Sequence, residues 1–88
     1  MHELPNFNKA FAQILRSRRE QIRMTQMRLA IEIGGSEVAV RRMERGSQTP
    51  TVTTLILLAR ALGVEPDKLL AGILNQMAFL DSRSNDGQ

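Results

Sequence analysis

The side chains able to do chemistry in this 88-residue chain are cations rather than nucleophiles. Cysteine is absent, so no disulfide and no thiolate metal site can form. The lone histidine, His2, stands near the N-terminus without a second ligand, and neither a metal nor a cofactor is expected. Ser17, Ser36, Ser47, Ser82 and Ser84 lack base partners and read as caps or loop residues. No phosphate-cradling glycine loop and no carboxylate pair at metal-ligand spacing is present, which argues against an enzyme. The positive charge is unevenly placed. Residues 1–46 carry nine Lys and Arg (Lys9, Arg16, Arg18, Arg19, Arg23, Arg28, Arg41, Arg42 and Arg45) against five acids, and residues 47–88 carry three against four. This asymmetry favours a polyanionic partner for the first half, although the net charge of +3 is modest and also suits an ordinary solvated helical surface.

The elements that must position these cations are helical. Between Thr25 and Gly46 the chain reads TQMRLAIEIGGSEVAVRRMERG. Thr25 caps one short helix, with Leu29, Ala30 and Ile33 inward. Gly34 supplies the left-handed stop, and Ser36 caps a second helix, with Val40 and Met43 inward, that Gly46 ends. Two short helices about a glycine turn form the unit that presents its second helix to a DNA major groove. Upstream, Phe7, Phe11, Ile14, Leu15 and Ile22 recur at helical spacing, which predicts a first helix over residues 8–22 capped by Asn6 or Asn8. Downstream, Thr51 caps a fourth helix with Leu55, Leu58, Ala59 and Leu62 inward and Gly63 at its end. Pro66 opens a fifth, followed by Leu69, Leu70, Ile73 and Leu74. No strand alternation and no repeat occurs. Aromatic residues make up 3% of the chain, so the core must be aliphatic and the fold class all-α. No apolar run approaches a membrane span and the N-terminus lacks a signal-peptide core, so a cytoplasmic location is expected. The residues SRSNDGQ lack apolar content and predict disorder.

From about Phe11 to Leu70 the chain resembles the Cro/repressor class of helix-turn-helix domains, the XRE-like family. The matching pieces are LRSRREQ in helix 1, TQxxLA from Thr25 to Ala30, the Gly34 turn, Ser36, MERG from Met43 to Gly46, Thr49-Pro50-Thr51, and LLARALGV from Leu57 to Val64. The resemblance implies a compact five-helix repressor-like DNA-binding domain with a C-terminal helical extension. Its boundaries are an arm over 1–7, a DNA-binding domain over 8–72, an extension over 73–81 and a disordered tail over 82–88. It implies that Glu37, Val38, Arg41 and Arg42 face base edges, and that Thr25, Gln26, Ser36, Arg45, Ser47, Gln48 and Thr49 meet phosphates. It also implies a structural ion pair between Arg19 and Glu44. A helix N-terminus with free N–H groups favours an anion, which agrees with the role of Gln26. Three positions depart from the family pattern. Gly35 replaces a small apolar residue, Arg23 replaces a helix-ending glycine and carries strain if its backbone is left-handed, and Ile31 replaces a polar residue.

Arginine can bond guanine O6 and N7 together, a contact worth about 1–3 kcal/mol of discrimination. Adjacent helical residues diverge by about 100°, so one of Arg41 and Arg42 reads a base while the other holds a phosphate. Glu37 can accept from cytosine N4, and Val38 can touch a thymine methyl. One such domain makes few contacts, so a homodimer on half-sites about 34 Å apart is expected. Leu70, Ile73, Met77 and Leu80 are the candidate dimer residues, unless the fifth helix packs back on the first. Too little chain follows that helix for a sensor domain, so no small-molecule effector is expected. The rival to a double-stranded DNA-binding regulator is a protein- or RNA-binding module of antitoxin or adaptor type on the same fold, which Ile31, Glu37 and the low net charge favour.

Overall fold

The structure, a computed structural model, describes residue 4 and residues 6–86, with side chains to residue 83; His2 and Pro5, and the side chain of Ser84, lie outside this description. It consists of five helices: α1 (Phe7–Gln21), α2 (Gln26–Glu32), α3 (Glu37–Glu44), α4 (Val52–Leu62) and α5 (Pro66–Asp86). The all-α architecture is the expected one. Among the described residues no helix is long and apolar enough to cross a membrane.

Local chemistry accounts for the helix starts. Thr25, Ser36 and Thr51 adopt extended backbone, and each side-chain oxygen accepts the amide three residues on: Arg28 N at 3.0 Å, Ala39 N at 3.1 Å and Thr54 N at 3.1 Å. The start of α1 differs from expectation. The cap position is Asn6, left-handed at φ 69°, and its side chain makes no capping bond. Its amide instead donates to Asp81 Oδ1 of α5 at 2.7 Å. Phe7, assigned to the arm from sequence, is the first helical residue, and its ring stacks on Phe11 with centroids 6.3 Å apart.

Four helices end alike, in a paired set of backbone bonds around one residue of positive φ. In α2 the amide of Gly34 donates to Ile31 O and that of Gly35 to Ala30 O. In α1 the same role falls to Arg23 at φ 57°, with Arg23 N bonded to Glu20 O and Met24 N to Arg19 O. The left-handed arginine that the sequence raised as a condition is therefore present.

Phe11, Leu15, Leu29, Val40, Met43, Leu58, Leu69 and Ile73 are the large, fully buried side chains, and they draw on all five helices. α5 closes the core by packing along α1. Two expectations are corrected here. Ile73, read as a dimer residue, is 0% exposed and belongs to the monomer core, with Met77 and Leu80 packed against it. An aliphatic side chain at the centre of the α1–α5 seam is removed from water by its own chain and offers nothing to a partner. Further along, the helix continues to Asp86 where disorder was expected from residue 82. Neither glycine nor proline interrupts residues 73–86, and the Asn6–Asp81 and Gln76–Gln13 bonds (2.6 Å for the latter) tie the second half of α5 to α1. Residues 73–81 thus form a wall of the domain rather than an extension of it.

Candidate nucleic-acid interface

α3 buries Val40 and Met43 and turns its other side outward. Arg41, Arg42 and Arg45 are exposed, Val38 is 44% exposed and Glu37 is half-buried. The base-edge candidates therefore share one accessible face, as helical spacing requires for residues 37, 38, 41, 42 and 45. Their charges are not equivalent. Glu37 Oε1 lies 3.6 Å from Arg41 Nη1, one turn along. Among the described residues, Arg42 and Arg45 have no carboxylate partner.

The orientation of α3 depends on its inward-facing acid. Arg19 Nε donates to Glu44 Oε2 at 2.6 Å and Arg19 Nη2 to Glu44 Oε1 at 3.0 Å, a bidentate pair with side chains only 12% and 3% exposed. Arg19 Nη1 also donates to the Met24 carbonyl at 2.7 Å. Hydrogen bonding to Glu44 raises the Arg19 pKa above its ordinary value against the opposing effect of burial. One arginine thereby joins α1, the strained α1–α2 turn and α3. The expected pair is present, and it is more connected than a simple bridge.

The phosphate candidates divide by how their polar atoms are used. Thr25 and Ser36 accept a capping bond, which leaves each hydroxyl its own proton for an outside acceptor. Gln26 donates one amide N–H to Glu44 Oε1 at 3.0 Å, so a single side-chain N–H remains for a phosphate. Ser47 Oγ donates to the Arg42 carbonyl at 3.1 Å and closes the end of α3. Thr49 Oγ1 donates to Asn8 Oδ1 at 2.7 Å, and Gln48 is half-buried, its side chain making no hydrogen bond among the described residues. The two loop hydroxyls therefore serve the protein itself. The Thr49 bond, made to the Asn8 oxygen, brings the two N–H donors of the Asn8 amide, which have no partner among the described residues, beside the loop. Sequence reading treated Asn8 only as a possible cap, and no local signal connects residues 41 positions apart.

Ile31 is 62% exposed and Met27, one turn earlier on the same side of α2, is 51% exposed, with an Arg28–Glu32 bridge of 2.7 Å beside them. Among the described residues, no cluster of His, Cys, Asp or Glu could hold a metal ion.

Comparison with known proteins shows the family to which this fold belongs. A family model described as helix-turn-helix matches residues 15–69. Repressor protein C2 of Salmonella phage P22 is 37% identical over 62 residues, which are 70% of this chain and 29% of that protein. The HTH-type transcriptional regulator YqaE of Bacillus subtilis is 35% identical over 71 residues, 81% of this chain and 61% of that one. The chain thus spans about a third to three-fifths of the length of these curated relatives. Among solved structures, the clp gene regulator ClgR of Corynebacterium glutamicum superposes with a TM-score of 0.86 over 97% of this chain and 90% of that one, and at 24% identity this likeness speaks for the fold.

Proposed function

This chain belongs to the Cro/repressor-like helix-turn-helix family, and we propose that it is a sequence-specific double-stranded DNA-binding transcriptional regulator that seats α3 in the major groove. The carrying observation is the split of α3 into an inner side locked by Val40, Met43 and Glu44 and an outer side of exposed arginines, two of them without a carboxylate partner among the described residues. Arg41 reads guanine, Val38 packs on a thymine methyl, and Arg42, Arg45, Thr25, Ser36 and Gln26 hold phosphates on either side. The names of the relatives, a repressor and transcriptional regulators, support the same reading. It is the role of a DNA-binding protein rather than an enzyme, and the bacterial and phage origin of the relatives favours the cytoplasm as its place of action.

The protein acts as a homodimer on a palindromic operator, because two copies on half-sites about 34 Å apart multiply the few contacts one domain makes. The dimer face lies on α5, where Leu70 and Leu74 are 38% and 44% exposed, with Met77 and Leu80 at its buried edge. An electrophoretic titration on cognate and scrambled duplexes tests the site. Arg41→Ala weakens cognate binding and relaxes preference at one or two base pairs, whereas Gln26→Ala weakens binding to both duplexes alike. Wild-type behaviour in both variants contradicts the assignment.

A further inference from the structure

We propose that the Glu37–Arg41 pair reads one C·G base pair in each half-site, with Glu37 acting as a filter against the other pairs; this rests on the DNA-binding reading above. Glu37 is the first residue of α3 and Arg41 stands one turn further on, with Glu37 Oε1 and Arg41 Nη1 3.6 Å apart. The separation is long for a charge-assisted hydrogen bond and both side chains are partly exposed, at 34% and 49%, so the pair can be exchanged for other partners at little cost. It presents an acceptor beside a donor.

The major-groove edge of a C·G pair presents the complementary order. Cytosine N4 is a donor, guanine O6 is an acceptor, and the two are hydrogen-bonded to each other across the pair, so they are neighbours like the carboxylate and the guanidinium. A·T also offers a donor beside an acceptor, at adenine N6 and thymine O4. The guanidinium separates the two, because guanine adds N7 as a second acceptor for a forked contact, whereas thymine puts a methyl group beside O4. Where no amino donor meets Glu37, its carboxylate loses water without a replacement partner in a groove flanked by phosphates, and binding weakens. Arg41 already neutralises that carboxylate in the free protein, which lets an acid stand on a surface that approaches a polyanion.

The test is selection of bound duplexes from a random pool by the full-length protein, its Glu37→Ala, Glu37→Gln and Arg41→Ala forms, with helix content measured for each. The inference expects a wild-type motif holding one C·G pair per half-site whose replacement weakens binding about tenfold or more. Glu37→Ala removes the preference at that pair while binding scrambled duplexes more tightly. Glu37→Gln shifts it toward A·T, since glutamine pairs with adenine N6 and N7. Arg41→Ala weakens the preference without moving it. A wild-type motif that Glu37→Ala selects unchanged overturns the inference and leaves the DNA-binding reading standing. A wild-type protein that enriches no motif overturns that reading itself.

Discussion

Glu44 receives three hydrogen bonds, two from Arg19 and one from Gln26, and its removal strands both donors. Glu44→Ala is expected to cost about 3 kcal/mol of stability, because Arg19 keeps a charge that is largely shielded from water. The double variant Arg19→Met with Glu44→Leu is expected to recover about half of that loss or more, since no lone charge is left behind. Denaturant titration of the single and double variants measures both. The pH dependence has a definite sign. The folded Arg19 pKa is raised, so its contribution is complete below the unfolded arginine value and is lost only as pH rises through the folded one. Arg19 therefore contributes no change in stability between pH 6 and 9, and a titration of thermal midpoint against pH in a Glu44-intact protein checks that its variant Arg19→Lys behaves likewise. The family resemblance exposed this pair in the sequence. The Gln26 arm and the bond to the Met24 carbonyl were not legible there, because both depend on where a turn of positive φ places the next residue.

At the scale of the element, caps were readable and ends less so. Thr25, Ser36 and Thr51 act within three residues of themselves, and local chemistry is what a sequence displays best. Two neighbouring glycines make the point in opposite directions. Gly34 has φ 68°, so Gly34→Ala is expected to destabilise by about 1–2 kcal/mol. Gly35 has no such constraint, and an added Cβ meets only the Ile33 side chain at ordinary contact distance, 3.5 Å. Gly35→Ala is therefore expected to stabilise by about 0.4–1 kcal/mol through the unfolded chain. Thermal unfolding of both variants should move the midpoint in opposite senses, and equal shifts would contradict this account of the turn. α5 was the hardest element to read. Leu69, Leu70, Ile73, Leu74, Met77 and Leu80 offer two overlapping apolar stripes, and periodicity alone does not choose which one the core takes. The core takes Leu69 and Ile73, leaving Leu70 and Leu74 outside.

For the whole molecule, that choice decides how a dimer is to be tested. Deleting the chain from residue 73 would remove a core side chain and bonds to α1, so it tests folding rather than association. Leu70→Lys with Leu74→Lys is the cleaner probe. It is expected to leave helix content intact and to convert the proposed dimer to a monomer in sedimentation at micromolar concentration. Ile73→Ala, by contrast, is expected to cost about 2–5 kcal/mol of stability. The long-range polar ties Asn6–Asp81, Asn8–Thr49 and Gln13–Gln76 were invisible in the sequence because each joins residues brought together only by the packing of α1 against α5 and the loop after α3.

The central claim is that the outer side of α3 and the groups around it meet the phosphates and bases of a duplex. Its most direct test is the affinity for duplex DNA followed across a range of salt concentrations. Each phosphate neutralised adds about −0.9 to the slope of log K against log salt. The account predicts a steep negative slope that becomes shallower by about one unit in Arg45→Ala. A flat line, or no complex even at low salt, would contradict it.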